Sequence, residues 1–421
     1  MDEVKPKEPT FTPALILIVS LFLLWGMANN LNDTLIPQFR KAFTLTDLQS
    51  GLVQSAFYAG YFVFAIPASL FMQRFGYKAA VVFGLVLYAI GAFLFFPAAE
   101  THAYAFFLGA LFVIASGLAF LETSANPLVT VLGSPDKAEQ RLNFAQSFNP
   151  LGLLIGVAIG RTFILTDTRS PTEIAALSPD ELQTYYQAQS HAVQGPYLVI
   201  GAFVLLWALV VLAVRFPAVA TAHKDEAPQA GGFGALFGRP HFLLGVVAQF
   251  FYVAAQVGVW SFTIRYTQHV RPGTAEHDAA NFLLLSIVFF TIGRFVGTAL
   301  MGKVHPERLL GLYALAAMAL TLIAALAGGD VGLYSLAGVS FFMSIMFPTI
   351  FASAIRGLGP LTKAGSSFLV MAIIGGALMA PLMGGISDAS SMQTAMFAPA
   401  ACFAVILAYA LISRAPKAVA A

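Results

Sequence analysis

The sequence predicts an all-α polytopic membrane protein, with twelve transmembrane helices arranged as two pseudo-symmetric six-helix halves. Three observations predict it. First, 58% of the 421 residues are apolar and only 10% are charged, against about 25% charged in a soluble domain. The mean hydropathy is +0.80, so lipid is the solvent for most of the surface. Second, charged and turn-forming residues cut the chain into twelve apolar segments, each close to the ~20 residues that a spanning helix needs. Third, a polar stretch after the sixth segment divides them into equal sets.

The segments lie near residues 13–37, 49–72, 78–97, 103–131, 141–165, 194–216, 239–267, 279–301, 307–327, 331–355, 363–387 and 391–413, and are called spans one to twelve. A closed β-barrel is the other way to satisfy a backbone in lipid, but its strands are about 10 residues long and alternate in polarity. These runs are longer and continuously apolar. The first is too long for a signal-peptide core and lacks a cleavage site, so it reads as span one.

Lys and Arg favour cytoplasmic loops. With the N-terminus inside, the inner turns hold Arg74, Lys78, Lys137, Arg141, Lys303, Arg308, Arg356 and Lys363 among others, and the outer loops only Arg40, Lys41, Arg169 and Arg271. Both termini are therefore expected in the cytoplasm. The polar, Gly/Ala-rich stretch 217–238 reads as a flexible cytoplasmic linker between an N-terminal half, 1–216, and a C-terminal half, 239–421. In the longest outer loop, Ser178-Pro179-Asp180-Glu181 has the pattern of a capping box with proline at the first helical position. A short surface helix is expected there.

A formal net charge of +2 argues against a nucleic-acid partner. The single cysteine, Cys402, has no internal disulfide partner and reads as a small buried residue. The histidines show no metal-ligand spacing. No G-x-x-x-x-G-K-[ST] run occurs, so ATP-driven pumping is not expected. Neither a metal nor another cofactor is called for.

Polar residues inside the spans carry the functional signal. A charge at mid-bilayer costs about 2.5–3.5 kcal/mol on insertion scales, so such residues face a cavity or a partner. In span one, Trp25, Asn29 and Asp33 recur at spacing four and share a face, with Asn30 beside them. In span four, Glu122 lies deeper, with Asn126 four residues on. Desolvation disfavours the charged form of a carboxyl, which makes membrane acids candidates for proton relay. An outer Asp33 and a deeper Glu122 would suit inward proton passage, although an acid at the outer boundary is also simply hydrated. Span five carries Asn143, Gln146 and Asn149 at spacing three, and span seven carries Gln249, Tyr252, Gln256 and Trp260. Amides offer both donors and acceptors to sugar hydroxyls, and rings cover apolar C–H faces. Any one stripe also fits hydrogen bonding between helices. Arg265 and Arg294 read as side chains snorkelling from span ends. Gly375-Gly376 and Gly384-Gly385 in span eleven permit close helix approach.

Two six-span halves on a cytoplasmic linker resemble the major facilitator superfamily fold. Ala125-Asn126-Pro127 in span four is echoed by Met346-Phe347-Pro348 in span ten. The runs FLLWGMANNLNDTLIPQF, QSAFYAGYF, LETSANPLVTVLG, RLNFAQSFNPLG, VWSFTIRY, FFTIGRFVGT, MFPTIFASAI and GSSFLVMAIIGG are similar, in order and over nearly the whole chain, to the fucose–galactose–glucose:proton branch of that superfamily. The resemblance implies two halves that rock about a central cavity. It places the branch's two functional acids at Asp33 and Glu122, the second also within the sugar cavity. Its cavity amides fall on Asn30, Gln146 and Asn149, and its cavity tryptophans on Trp25 and Trp260. The stripes add Asn29, Asn126 and Gln256. Fucose-type members have a cavity tyrosine before the span-ten proline, where this chain has Phe347, and Ser147 and Pro150 also depart from the pattern.

The expectation is a secondary active transporter in a bacterial inner membrane, bringing in a monosaccharide with a proton as a monomer in the lipid bilayer. The ANNLND run looks most like the fucose type, so L-fucose or a related sugar such as L-galactose or D-arabinose is expected. Carriage of glucose/galactose or N-acetylglucosamine is the alternative, and small-molecule efflux antiport the more distant one. Sodium coupling stays open, because acids and amide oxygens also hold Na⁺. A membrane enzyme would need a nucleophile–base set or a metal cluster, and the sequence carries neither pattern.

Overall fold

The computed structural model describes residues 13–27, 43, 47–159, 162–163, 176–216 and 233–413, and within them the regular structure is helical. Helices stand at all twelve predicted places. Span one is described over Pro13–Met27. Asp47–Glu100 is one run of 54 residues. At 1.5 Å per residue it would reach about 80 Å, far beyond a hydrocarbon core of about 30 Å. It therefore holds spans two and three, and it turns between them at Gly76 (φ 82°, ψ 171°), a left-handed backbone that glycine takes without penalty. Span four is Tyr104–Val131, span six Gln194–Ala213, span seven Pro240–Val270, span eight Glu276–Leu300, span nine Pro306–Leu326 and span twelve Phe397–Ile412.

The capping box forms as expected. Ser178 accepts from the Glu181 amide, while Glu181 Oε2 accepts at 2.9 Å from the Ser178 amide, opening the surface helix Pro179–His191. Arg265 is exposed, with its guanidinium 5.3 Å from the Phe262 ring.

Three spans are broken. Span five is Ala138–Gln146 and Phe148–Ile159. Span ten is Gly329–Met343 and Met346–Ile355. Span eleven is Thr362–Met371 and Gly375–Ala389, joined by the 3₁₀ turn Ala372–Ile374. Pro150 and Pro348 follow the first two breaks. Proline has no N–H, so the carbonyl four residues back loses its intrahelical donor. Those carbonyls belong to Gln146 and Ser344.

Large apolar side chains cover the outside. Leu206 is 55%, Leu209 56% and Leu326 74% exposed, a surface suited to acyl chains and rare on soluble monomers. The buried apolar residues form two clusters. One draws mainly on residues 18–236 and the other on residues 248–410. Phe347 and Ile373 pack against both.

Hydrogen bonds between the halves gather at the end of the bundle bearing the turns 132–137 and 356–361. Ser69 Oγ donates to the Lys363 carbonyl at 2.7 Å, Gln140 Nε2 to the Thr298 carbonyl at 3.3 Å, and Asn143 Nδ2 to Thr349 Oγ1 at 3.0 Å. Arg356, at the end of span ten, pairs with Glu139 of span five and, at 2.6 Å, with Glu307 Oε1 of span nine.

Candidate functional site

Span four sets the centre of the site. From Ile114 to Thr130 every residue except Glu122 is buried. A lipid-facing helix would expose a stripe at every third or fourth position. This stretch of the helix is enclosed by protein, so its one accessible side chain opens inward. The Glu122 carboxyl interacts with the Tyr61 hydroxyl of span two. That hydroxyl accepts a 2.9 Å hydrogen bond from Trp25 Nε1, which leaves its own O–H free to donate to the acid. Trp25 is 4% exposed and stacks on Phe22 at 5.2 Å between ring centroids. It acts behind Tyr61 rather than on the open side.

Spans one and five are held together by glycine. A Cβ at Gly26 would collide with the Asn149 carbonyl oxygen, and one at Gly152 with the Leu23 carbonyl oxygen. Only two facing glycines allow backbones this close. The contact fixes the half-buried Asn149 beside the Trp25 turn.

The remaining span-five amides are paired. Gln146, 7% exposed, donates from Nε2 to Asn126 Oδ1 at 2.9 Å. Asn126 is fully buried, and its Nδ2 has no partner among the described residues. Asn143, read from spacing as part of the same stripe, joins the halves through Thr349. Arg294 of span eight donates from Nη1 to the Gln146 carbonyl at 3.1 Å and to Gln146 Oε1 at 3.3 Å. It is 3% exposed. The snorkelling expectation for Arg294 is thereby corrected: its guanidinium lies in the protein interior because Pro150 leaves the Gln146 carbonyl in need of a donor.

The C-terminal half supplies rings and one amide. Gln256, Trp260 and Phe347 are partly exposed. Trp260 donates from Nε1 to Ser340 Oγ at 3.1 Å and meets Phe290 edge-on at 5.1 Å. From Met343 to Ile355 every residue except Phe347 is buried, so span ten presents one ring as span four presents one acid. Tyr252 crosses Phe347 at 6.0 Å. The Tyr252 hydroxyl and the Gln249 amide have no hydrogen-bond partner among the described residues.

The expected residues thus separate. Glu122, Asn149, Gln256, Trp260 and Phe347 keep open surface, whereas Trp25, Asn126 and Gln146 lie behind them. Asn29, Asn30 and Asp33 lie outside the described residues. Sequence reasoning missed Tyr61 and the interior Arg294. Tyr58 and Tyr61, three apart in a nearly uncharged span, carry the signal for the first. Pro150 carries it for the second.

The comparisons agree with this architecture. A model of the Major Facilitator Superfamily matches residues 16–373. The chain is 49% identical to the L-fucose-proton symporter of Escherichia coli over 94% of this chain and 91% of that one. It is 36% identical to a glucose/galactose transporter of Brucella abortus over 95% and 93% of the two chains. A solved structure of the transporter FucP in the outward conformation has a TM-score of 0.89, at 48% identity over 96% of this chain and 99% of that one. With helices at all twelve expected places among the described residues, two packed cores and these matches along its length, the chain belongs to the Major Facilitator Superfamily.

Proposed function

We propose that this protein carries L-fucose or a closely related monosaccharide into the cell together with a proton. The carrying observation is Glu122, the one accessible residue in the enclosed stretch 114–130 of span four, set against the Tyr61 hydroxyl. A carboxyl there takes or releases a proton at the point where amides and rings converge. Asn149 and Gln256 bind sugar hydroxyls, and Trp260 and Phe347 cover the sugar's apolar face. By the sequence reading, Asn29 and Asn30 add to the sugar-binding amides, and Asp33 is the second proton-coupling acid, passing the proton inward to Glu122. The names of the relatives favour sugar cargo, and 49% identity to the L-fucose-proton symporter against 36% to the glucose/galactose transporter favours the fucose type.

The halves 1–216 and 239–421 rock about this pocket, tethered by 217–238. With both termini cytoplasmic, the end closed by Arg356, Glu139 and Glu307 is the inner one, and the conformation faces outward. That agrees with the state named for the solved FucP structure. One chain supplies the whole route, so a monomer suffices. Phe347 offers no hydroxyl, so selectivity against other sugars rests on the amides.

Counterflow in proteoliposomes tests the cargo. Vesicles loaded with L-fucose are expected to exchange labelled L-fucose at least tenfold faster than vesicles loaded with D-glucose, D-galactose or N-acetylglucosamine, with L-galactose and D-arabinose also exchanging. Exchange with none of these sugars would remove the monosaccharide reading. Preference for glucose or galactose would move it to the other arm of the branch.

A further inference from the structure

Arg294 is the interior charge that the transport scheme leaves unused. Buried guanidinium groups are usually paired with carboxylates. Among the described residues no carboxylate lies within ion-pair distance of this one. Its hydrogen bonds go to the other half of the protein: Nη1 reaches the Gln146 carbonyl at 3.1 Å and the Gln146 side-chain oxygen at 3.3 Å. Within its own half the guanidinium lies over the Phe290 ring at 4.7 Å. The main-chain acceptor exists because Pro150 cannot donate to it. Nε has no partner among the described residues.

This arrangement conflicts with sugar binding as it stands. Gln146 is expected to bind sugar, yet its amide is engaged on both sides: Nε2 with Asn126 and Oε1 with Arg294. Each atom of the amide keeps one further hydrogen-bonding site, but Gln146 is only 7% exposed, so there is room for a sugar hydroxyl at Oε1 only where the guanidinium gives way. The 3.3 Å contact to Oε1 is to a side chain, which can turn away, whereas the 3.1 Å contact is to the main chain. Once the side-chain contact yields, a single main-chain hydrogen bond remains between span eight and span five at this level. Binding of the sugar and closure of the inner end therefore compete for one amide.

We propose that Arg294 is a sugar-released latch, a positioning residue that holds the halves closed through Gln146 until a sugar hydroxyl displaces it. The inference rests on the proposed monosaccharide transport and adds Gln146, a sugar amide by sequence expectation that lies behind Asn149 until Arg294 yields, and the test separates the two. Spin labels at Lys137→Cys and Lys303→Cys, exposed turns at the inner end of opposite halves, report the gap by pulsed electron resonance in a Cys402→Ser background. In the parent, L-fucose is expected to add a longer-distance population to a short sugar-free one. In Arg294→Gln that population is expected without sugar, raised on the order of tenfold or more as befits loss of hydrogen bonds to a charged donor. Added sugar then changes little. Arg294→Lys, which keeps the charge but not the fork, restores the short distance in part.

Pro150→Ala attacks the same latch without touching the arginine, because it returns an intrahelical donor to the Gln146 carbonyl and is compatible with a helix. It is expected to lengthen the sugar-free distance as well. Parent-like distances and a parent-like sugar response in both Arg294→Gln and Pro150→Ala would overturn the latch. L-fucose affinity of Gln146→Leu by calorimetry tests the trigger. A loss of tenfold or more supports it. An unchanged affinity beside an open Arg294→Gln variant would leave a latch with no sugar trigger, and would overturn the proposal through the sugar reading.

Discussion

Glu122→Gln is expected to abolish sugar accumulation driven by a pH gradient while sparing sugar exchange. Glutamine has the same shape as the acid and can still bond the Tyr61 hydroxyl, so the pocket survives. What disappears is the group that changes charge. In proteoliposomes with an inside-alkaline gradient, a carrier moving one proton per sugar accumulates sugar about tenfold per pH unit. The variant is expected to stop at equal concentrations inside and out, with counterflow within about threefold of the parent. Gradient-driven accumulation at the parent level would show that the proton travels by another group.

Arg356→Ala is expected to open the inner end. The guanidinium lies between Glu139, 2% exposed, and Glu307, 6% exposed. Removing it leaves two carboxylates uncompensated in one seam. Breaking a buried pair costs about 3–5 kcal/mol, less here because Arg356 is itself 42% exposed. Even about 1.4 kcal/mol is a tenfold change in the balance between closed and open. A cysteine at Asn143, which is fully buried against Thr349, reads the change in a Cys402→Ser background. Its alkylation by a water-soluble maleimide is expected to speed up tenfold or more in Arg356→Ala. Equal rates would show that the seam is closed by packing alone.

Much of this was legible in the residue order, for physical reasons. Apolar length places the spans, because lipid fixes how long a helix must be. The break between residues 72 and 78 separates spans two and three, and the chain turns there at Gly76. The Ser178 capping box is a local pattern and forms locally. Glu122 stood out because a charge in lipid is expensive.

The rest depends on partners distant in sequence. Spacing puts Asn143, Gln146 and Asn149 near one face but does not say what faces them. The structure gives Asn143 to Thr349 and Gln146 to Arg294, 206 and 148 residues away, and leaves only Asn149 with open surface. Trp25 shared a stripe with Asn29 and Asp33, yet its indole is buried behind Tyr61. Tyr61 was hidden among 13 tyrosines and 39 phenylalanines, where one more ring carries no signal. Arg294 resembled any arginine near a span end until the carbonyl freed by Pro150 gave it an interior acceptor. The Arg356 cluster joins the ends of spans five, nine and ten, which no local pattern connects.

The most direct measurement is proton movement on sugar addition. Proteoliposomes holding the parent protein, suspended in weakly buffered medium without sodium, receive an inward L-fucose gradient while external pH is followed by electrode. Coupled transport predicts prompt alkalinisation of the medium that is absent with D-glucose and absent in Glu122→Gln. Labelled L-fucose entering with no change in external pH would contradict proton symport at its root.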